Sequence, residues 1–389
     1  MIRQKNRFFF LFPVKIPLFL SHVSIVTILA ILYMRKTRNL ILLLLLCCLA
    51  MTAAAQVYNL AESETDEDAI NIVSYFDKGD TMTYNYSHEK IKIREGDTTR
   101  ESSFSLEFRI AVIDSTSQGY RMEVTPLSYE FTEEDSTSSA ITRLGWSILK
   151  DVRCIFSINE VGEIQHIENW REISKQLKAT FKQSIDKAFN DTPELDSVMS
   201  RKQLERLLSI KYSSEEGIRD AYEELDMLFA LHGAALTPGI KEVDDTDGGY
   251  PCHIIINSGY TEVEDEGDYD GDYAVATQTV TTLPMTDALE LGLELAGWLV
   301  TEQLADSLDS YKQVIVDSLN STSVFPENME VTVNEYYGYF INGWPKECRR
   351  QKVVDAGLVK SIERNSIIWT SRNWDYTLIK NDEPLPTGI

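Results

Sequence analysis

Phe104-Ser-Leu-Glu-Phe-Arg-Ile-Ala-Val112 alternates apolar and polar side chains without a break. Phe104, Leu106, Phe108, Ile110 and Val112 recur at every second position, with Ser105, Glu107 and Arg109 between them. A period of two means a strand with one buried and one wet face. Upstream, residues 81–93 form another extended run. Downstream, Ser115-Thr-Ser-Gln-Gly119 reads as a turn into a strand over 119–124, which predicts a hairpin. Pro126 then moves the apolar positions onto Leu127, Tyr129 and Phe131, the signature of a bulge or bend.

A second hairpin is expected over 154–167, turning at residues 159–162. The pattern then becomes helical. Trp170, Ile173, Leu177, Phe181 and Ile185 recur every three or four residues. Asn169 with Glu172, Ser200 with Gln203, and Ser213 with Glu216 are spaced as capping boxes, so three helices are expected between 170 and 232. Strand patterns return at 251–257 and 273–283. A long helical pattern follows over 286–319, through Leu289, Leu293, Val300, Leu304, Leu308, Ile315 and Leu319. Its apolar stripe is long enough to cover the Phe104–Val112 face. A rival reading makes residues 289–295 a strand. Three strands over 331–341, 348–354 and 358–369 close the chain.

Strands, helices, strands, a helix and strands, without βαβ alternation, imply an α+β fold. The expected architecture is a curved, mostly antiparallel sheet with a three-helix insertion over 168–233 and one long helix packed on the sheet. Residues 70–389 read as a single domain, preceded by an acidic lead-in over 56–69.

Residues 34–55 read as a secretory signal peptide. Arg35, Lys36 and Arg38 precede an apolar core over 40–49, too short to span a bilayer, and Ala53 and Ala55 make an A-x-A cleavage site before Gln56. Residues 1–33 hold an extra apolar segment, read either as a gene-model extension ahead of a start at Met34 or as an anchor. The exported chain is expected to be periplasmic or extracellular, soluble, and without a transmembrane anchor. Seven of the 37 basic residues and none of the 61 acidic ones lie in residues 1–55, so the remainder carries 30 basic against 61 acidic residues, a formal charge of −31. Such a chain repels phosphate backbones, which excludes nucleic acid as a partner. Cys154, Cys252 and Cys348, an odd and scattered set, are not a disulfide framework.

No catalytic signature stands out: there is no G-x-S-x-G, no phosphate-binding glycine loop and no H-E-x-x-H. His88, His166, His232 and His253 read as structural or surface residues. No cofactor is implied apart from calcium at the acidic loop 264–272, EDEGDYDGD. There Glu266, Asp268, Asp270 and Asp272 resemble the first half of a calcium loop, although the twelfth position is Thr277 rather than a bidentate glutamate. The aromatic run Tyr336, Tyr337, Tyr339, Phe340 and Trp344 is dense, and Tyr337, Tyr339 and Trp344 are the candidates for a ligand-facing wall.

Three segments carry a resemblance: Phe76-Asp-Lys-Gly-Asp-Thr81, the hairpin over 156–167 with Asn159-Glu-Val-Gly162, and Tyr339-Phe-Ile-Asn-Gly-Trp-Pro345. Together they resemble uncharacterised exported proteins of Bacteroidetes, a domain of unknown function broadly similar to periplasmic lipoprotein carriers. The resemblance implies a curved sheet wrapped on helices and brings no active site. Asp-Ser and Asp-Thr pairs at Thr81, Thr98, Ser115, Ser136, Ser197, Ser307 and Ser318 resemble the O-glycosylation acceptor motif of exported Bacteroidetes proteins. The expected function is non-enzymatic: an apolar or amphipathic ligand, or an envelope protein, bound on a concave sheet face. The alternatives are an envelope scaffold using the helical insertion, and a hydrolase whose site no motif reveals.

Overall fold

The computed structural model describes residues 69–94, 97–131, 143–145, 147–149, 151–193, 195, 200–262, 271–288, 326–357 and 359–374. The signal peptide, the acidic lead-in and most of the 286–319 helical pattern lie outside the described residues.

The strands are β1 (Ile70–Asn71), β2 (Thr81–Arg94), β3 (Asp97–Thr116), β4 (Gly119–Phe131), β5 (Cys154–Ile158), β6 (Ile164–Ile167), β7 (Ala235–Leu236), β8 (Gly239–Asp247), β9 (Tyr250–Tyr260), β10 (Tyr273–Pro284), β11 (Asn328–Tyr339), β12 (Pro345–Asp355) and β13 (Val359–Arg372). Eleven of them form one sheet in the order β6-β5-β4-β3-β2-β13-β12-β11-β10-β9-β8. Every neighbouring pair is antiparallel. β13 pairs with β2, which joins the two ends of the chain in one sheet. β1 and β7 make a separate two-stranded ladder.

The register follows the alternation. Met82 faces Ile110, Tyr84 faces Phe108 and Tyr86 faces Leu106. All six are buried, and Tyr84 and Phe108 stack at 5.5 Å between ring centroids. Each such side chain contributes about 1.5–3 kcal/mol by leaving water. On β4 the pairing shifts so that Phe108 faces Pro126 and Glu107 faces Ser128. Leu127 is the extra residue of this bulge and points outward, 48% exposed. The β5–β6 turn is held by Asn159, whose Oδ1 accepts from the backbone N–H of Val161, Gly162 and Glu163. Gly162 has φ +106°, and a Cβ there would strike His232 and Ser74, so this corner needs glycine.

The helices between β6 and β7 are α1 (Trp170–Asp191), α2 (Arg201–Lys211), α3 (Glu215–Arg219) and α4 (Glu223–Leu228). Ile173, Leu177, Phe181 and Ile185 of α1, Leu204 and Leu208 of α2, and Ile218, Leu225 and Leu228 join one core with the β2–β5 face. The Ser200–Gln203 capping box forms. At the other two starts the geometry differs from the expectation. Asn169 makes no side-chain cap; it accepts from Ile155 N–H and donates to the Arg153 carbonyl, which ties α1 to β5. Ser214, not Ser213, caps α3, accepting from Gly217 N–H. The expected third helix is two short ones. Tyr222 breaks it, because its ring is buried and its hydroxyl reaches the Val152 carbonyl. Glu223, Glu224 and Asp226 then restart a helix where acidic side chains favour an N-terminus.

The α+β expectation is therefore corrected: the fold is a predominantly antiparallel sheet with few, mostly short helices. Two strand runs cause the difference. β3 extends over 20 residues, and Gly239–Asp247, a mostly polar segment, pairs with β9 as the sheet's edge strand. An edge strand needs no apolar alternation, so periodicity does not reveal it. Among the described residues, the Phe104–Val112 face and the apolar side chains of the insertion helices belong to one buried core. The long helix expected to cover that face lies outside the described residues beyond the turn at 285–288.

Candidate functional site

Following the register across the inner face exposes a change of chemistry at one level of the sheet. Val275, Tyr337, Cys348, Ile367 and Tyr86 form one cross-strand row, from β10 to β2, and all are buried. The next row is Thr277, Glu335, Arg350, Asn365 and His88. The row after that is Thr279, Val333, Lys352, Glu363 and Lys90. Beyond it the face turns mainly apolar again, with Val331, Val354, Met329, Leu283 and Val359 buried. A polar band two residues deep thus crosses five strands between two apolar fields. Side chains two apart on a strand share a face, so alternation forces these groups inward.

Most of the band is tightly paired. Glu335 Oε1 accepts from Arg350 Nε at 2.6 Å and from the Tyr337 hydroxyl at 2.9 Å, and its Oε2 accepts from Thr277 Oγ1 at 3.3 Å. His88 Nδ1 pairs with Asn365 Oδ1 at 2.7 Å and lies 3.9 Å from Glu363. The Tyr86 hydroxyl donates to Glu223 Oε1 at 2.6 Å and sits 3.0 Å from Asn365 Oδ1, so the start of α4 reaches down onto the band.

The band is deep, yet water reaches it. Arg350 and Glu363 side chains are 27% and 28% exposed. Burial nevertheless dominates the titration of their neighbour: it pulls the Lys352 ammonium down to about 8, with Glu363 and Asp247 opposing the shift and Arg350 and Lys90 adding to it. Burial pushes Glu363 up, but His88, Lys90, Lys352 and Arg350 outweigh it, and the carboxyl ends below its ordinary value. Burial also pushes Arg350 down, and Tyr337 and Glu335 outweigh that, holding it above its ordinary value.

The band lies on the face of the sheet that α4 approaches, where the Tyr86 hydroxyl stands between Glu223 and Asn365.

The aromatic candidates take a different position. Tyr337, Tyr339 and Trp344 are 2%, 0% and 0% exposed. Trp344 stacks on Phe76 at 4.1 Å, and Tyr339 stacks on Tyr273 at 5.3 Å and meets His232 edge-on at 5.5 Å. They are part of a sealed core, and only Tyr337 touches the band, through Glu335. His232 is locked there, with Nε2 donating to the Gly343 carbonyl at 3.0 Å and burial pulling it down to about 4. Of the acidic loop, Glu266, Asp268 and Asp270 lie outside the described residues. Asp272 is buried, accepts from Ile341 N–H at 3.0 Å and lies 3.7 Å from Lys346, so its carboxylate braces the 340–346 turn. Thr98 and Ser115 are exposed, while Thr81 is half-buried at the start of β2; Ser136, Ser197, Ser307 and Ser318 lie outside the described residues. Cys154, Cys252 and Cys348 are buried, and no disulfide joins them to one another. His166 and His253 sit on the surface, beside Glu215 and Asp244.

Sequence reasoning missed the band. A signal was present in Cys348, Arg350, Lys352 and Val354, where charged residues stand at inward positions of a strand. That they meet Glu335, Glu363 and His88 at one level depends on register, which no single strand records.

No known protein family matches the chain, and no curated protein matches it by sequence. Among the described residues no helix is long and apolar enough to cross a membrane. Two solved structures are similar over most of the chain. A lipovitellin structure titled for its lipid–protein interactions aligns with 77% of this chain at 9% identity and a TM-score of 0.34, and this chain spans 26% of it. An outer membrane channel from Pseudomonas putida F1 aligns with 79% of this chain, over 100% of its own length, at 8% identity and a TM-score of 0.13. Likenesses this loose carry no argument about function.

Proposed function

We propose that the protein is an exported, non-enzymatic binding protein that holds an amphipathic ligand on the inner face of its sheet. One observation carries this reading: a polar band that water reaches at Arg350 and Glu363 stands between two apolar fields on one face of the sheet. A purely structural core gains nothing from recessed charges, since replacing such pairs with apolar side chains is often neutral or stabilising. A molecule with an apolar body and a polar head matches this alternation of chemistry, with its head at the band. The charge–apolar–A-x-A order of residues 35–55 supports export, with a mature N-terminus at Gln56.

Native mass spectrometry of the protein isolated from its host tests the reading, together with titration of the apolar fluorophore N-phenyl-1-naphthylamine. A bound amphipath, extractable by organic solvent, is the expected result, with saturable fluorophore binding once it is removed. A protein that carries nothing and leaves the fluorophore dark would overturn it. N-terminal sequencing of the same sample tests export; a chain starting ahead of Met34 would refute the cleavage.

A further inference from the structure

We infer that the outer edge of β8 is a docking site for a partner protein, which adds an extended segment rich in lysine or arginine to the sheet as one more strand. The inference does not depend on the ligand reading above. Three observations carry it.

First, the two edges of the sheet are finished differently. β6 is four residues long, its pairing with β5 shifts register, and the backbone N–H of Ile167 is taken by Glu215 Oε1 of α3 at 2.9 Å. Shortness, a bulge and a covering side chain all blunt an edge. β8 has none of them. It runs nine residues in unbroken register with β9 and contains no proline, and among the described residues no strand pairs with its outer side. Second, this strand is open to solvent. Seven of its nine residues are exposed, and Ile240, at 72%, is the most exposed large apolar side chain among the described residues. A long, exposed edge is a template on which a further strand can pair through its main chain.

Third, the charge of the edge selects what pairs with it. Successive side chains of a strand alternate between its faces. Glu242 and Asp244 therefore stand on one face of β8 and Asp245 and Asp247 on the other, against Lys241 as the strand's one basic residue. Asp244 meets His253 at 2.8 Å, yet its side chain stays 90% exposed. Like charges set opposite one another oppose pairing, so this edge repels a second copy of itself. A cationic strand instead meets two carboxylates on whichever face it turns its charges to. The acidic charge of the whole chain draws such a segment in from solution.

The test uses a nine-residue peptide alternating lysine and threonine, blocked at both ends, added to the purified protein at pH 7. Fluorescence anisotropy reads its affinity and amide hydrogen exchange its location. Saturable binding is expected, with exchange slowed over residues 239–247 and unchanged over β6. A peptide of the same charge with a central proline cannot complete the ladder; it should bind about tenfold more weakly or worse. Glu242→Lys/Asp245→Lys reverses one exposed carboxylate on each face. It should weaken the lysine peptide by a similar factor and strengthen the matching glutamate–threonine peptide, while the circular dichroism spectrum and denaturation midpoint stay unchanged. Equal binding of the proline peptide would reduce the effect to charge attraction and overturn strand addition. Affinity that survives Glu242→Lys/Asp245→Lys, or slowed exchange elsewhere, would overturn the assignment to β8. No binding of the lysine peptide would overturn the inference outright. A dimer in sedimentation without peptide, protected over 239–247, would give the edge to a second copy and overturn the basic partner.

Discussion

The molecule buries ionisable groups in two regions, and treats them in opposite ways. At the sealed end, His232 and Glu224 are 1% exposed each. Burial pulls His232 down to about 4 and pushes Glu224 up to about 8, so both are neutral near pH 7. Each keeps an atom without a hydrogen-bond partner among the described residues, Nδ1 and Oε2 respectively. In the polar band, by contrast, Glu363 stays charged because four basic groups surround it, and Arg350 stays charged beside Glu335. Dry packing removes charge; a band that water reaches, with mutual pairing, keeps it. The sealed region behaves as scaffold; recognition is proposed for the band alone.

The strongest way to break this contrast is to put a charge where the protein has none. Phe108 is 0% exposed and stacks on Tyr84. Phe108→Asp loses the ring and buries a carboxylate without a partner, which should destabilise by more than about 3 kcal/mol. No cooperative transition is expected on urea titration at 25 °C. A stable Phe108→Asp protein would show that this face is not core.

Next in size is the pairing within the band. Arg350→Met strips Glu335 of its guanidinium, 2.6 Å away. Breaking a fully buried pair costs about 3–5 kcal/mol. Arg350 is 27% exposed, so solvent screening reduces the expected loss to about 2 kcal/mol. The double variant Arg350→Met/Glu335→Met should recover much of it. Denaturant midpoints of the four proteins in this cycle check the coupling, and simple additivity would mean the pair is not coupled.

A subtler probe uses pH. Glu224 releases its proton near 4.5 when unfolded and only near 8 when folded. Between those values the native state binds the extra proton, so stability falls as pH rises through the window. His232 acts from the other side: its folded value of about 4 lies below the ordinary 6.5, and stability is lost as pH falls from 6.5 towards 4. Glu224→Gln should therefore gain on the unsubstituted protein steadily from pH 5 to pH 8. Parallel stability-versus-pH curves would place Glu224 outside the sealed region.

The smallest effect is expected at the seam between the regions. Tyr86→Phe keeps the ring but removes the hydroxyl that joins Glu223 of α4 to Asn365 of the band. About 1.5 kcal/mol should be lost, the low end for a hydrogen bond to a charged acceptor, because the pair is only partly buried. Amide exchange near residues 223–228 should rise selectively; exchange that rises uniformly would mean α4 is not held by this bond.

Much of the secondary structure was legible because it is written in local periods. The Phe104–Val112 alternation, the Asn159–Gly162 turn, the Pro126 register shift and the Ser200–Gln203 cap each depend on residues within a few positions of one another. Local pattern failed where burial elsewhere overrode it, as when Tyr222 left a helix to fill the core. It was silent where the chain needed no pattern, as in the polar edge strand β8. The candidate site belongs to neither case. Tyr337, Tyr339 and Trp344 drew attention by composition, but aromatic density reports apolar area to be buried and not whether a ligand or the protein buries it; here Phe76, Tyr273 and His232 do. Glu335, Arg350, Lys352, Glu363 and His88 were ordinary charged or polar residues in five segments of sequence. By itself the sequence determined that these side chains face inward, because alternation leaves each of them no other side of its strand. Only the tertiary structure decided that they meet, because the level at which one strand stands against the next is set by the turns, bulges and packing of the whole sheet.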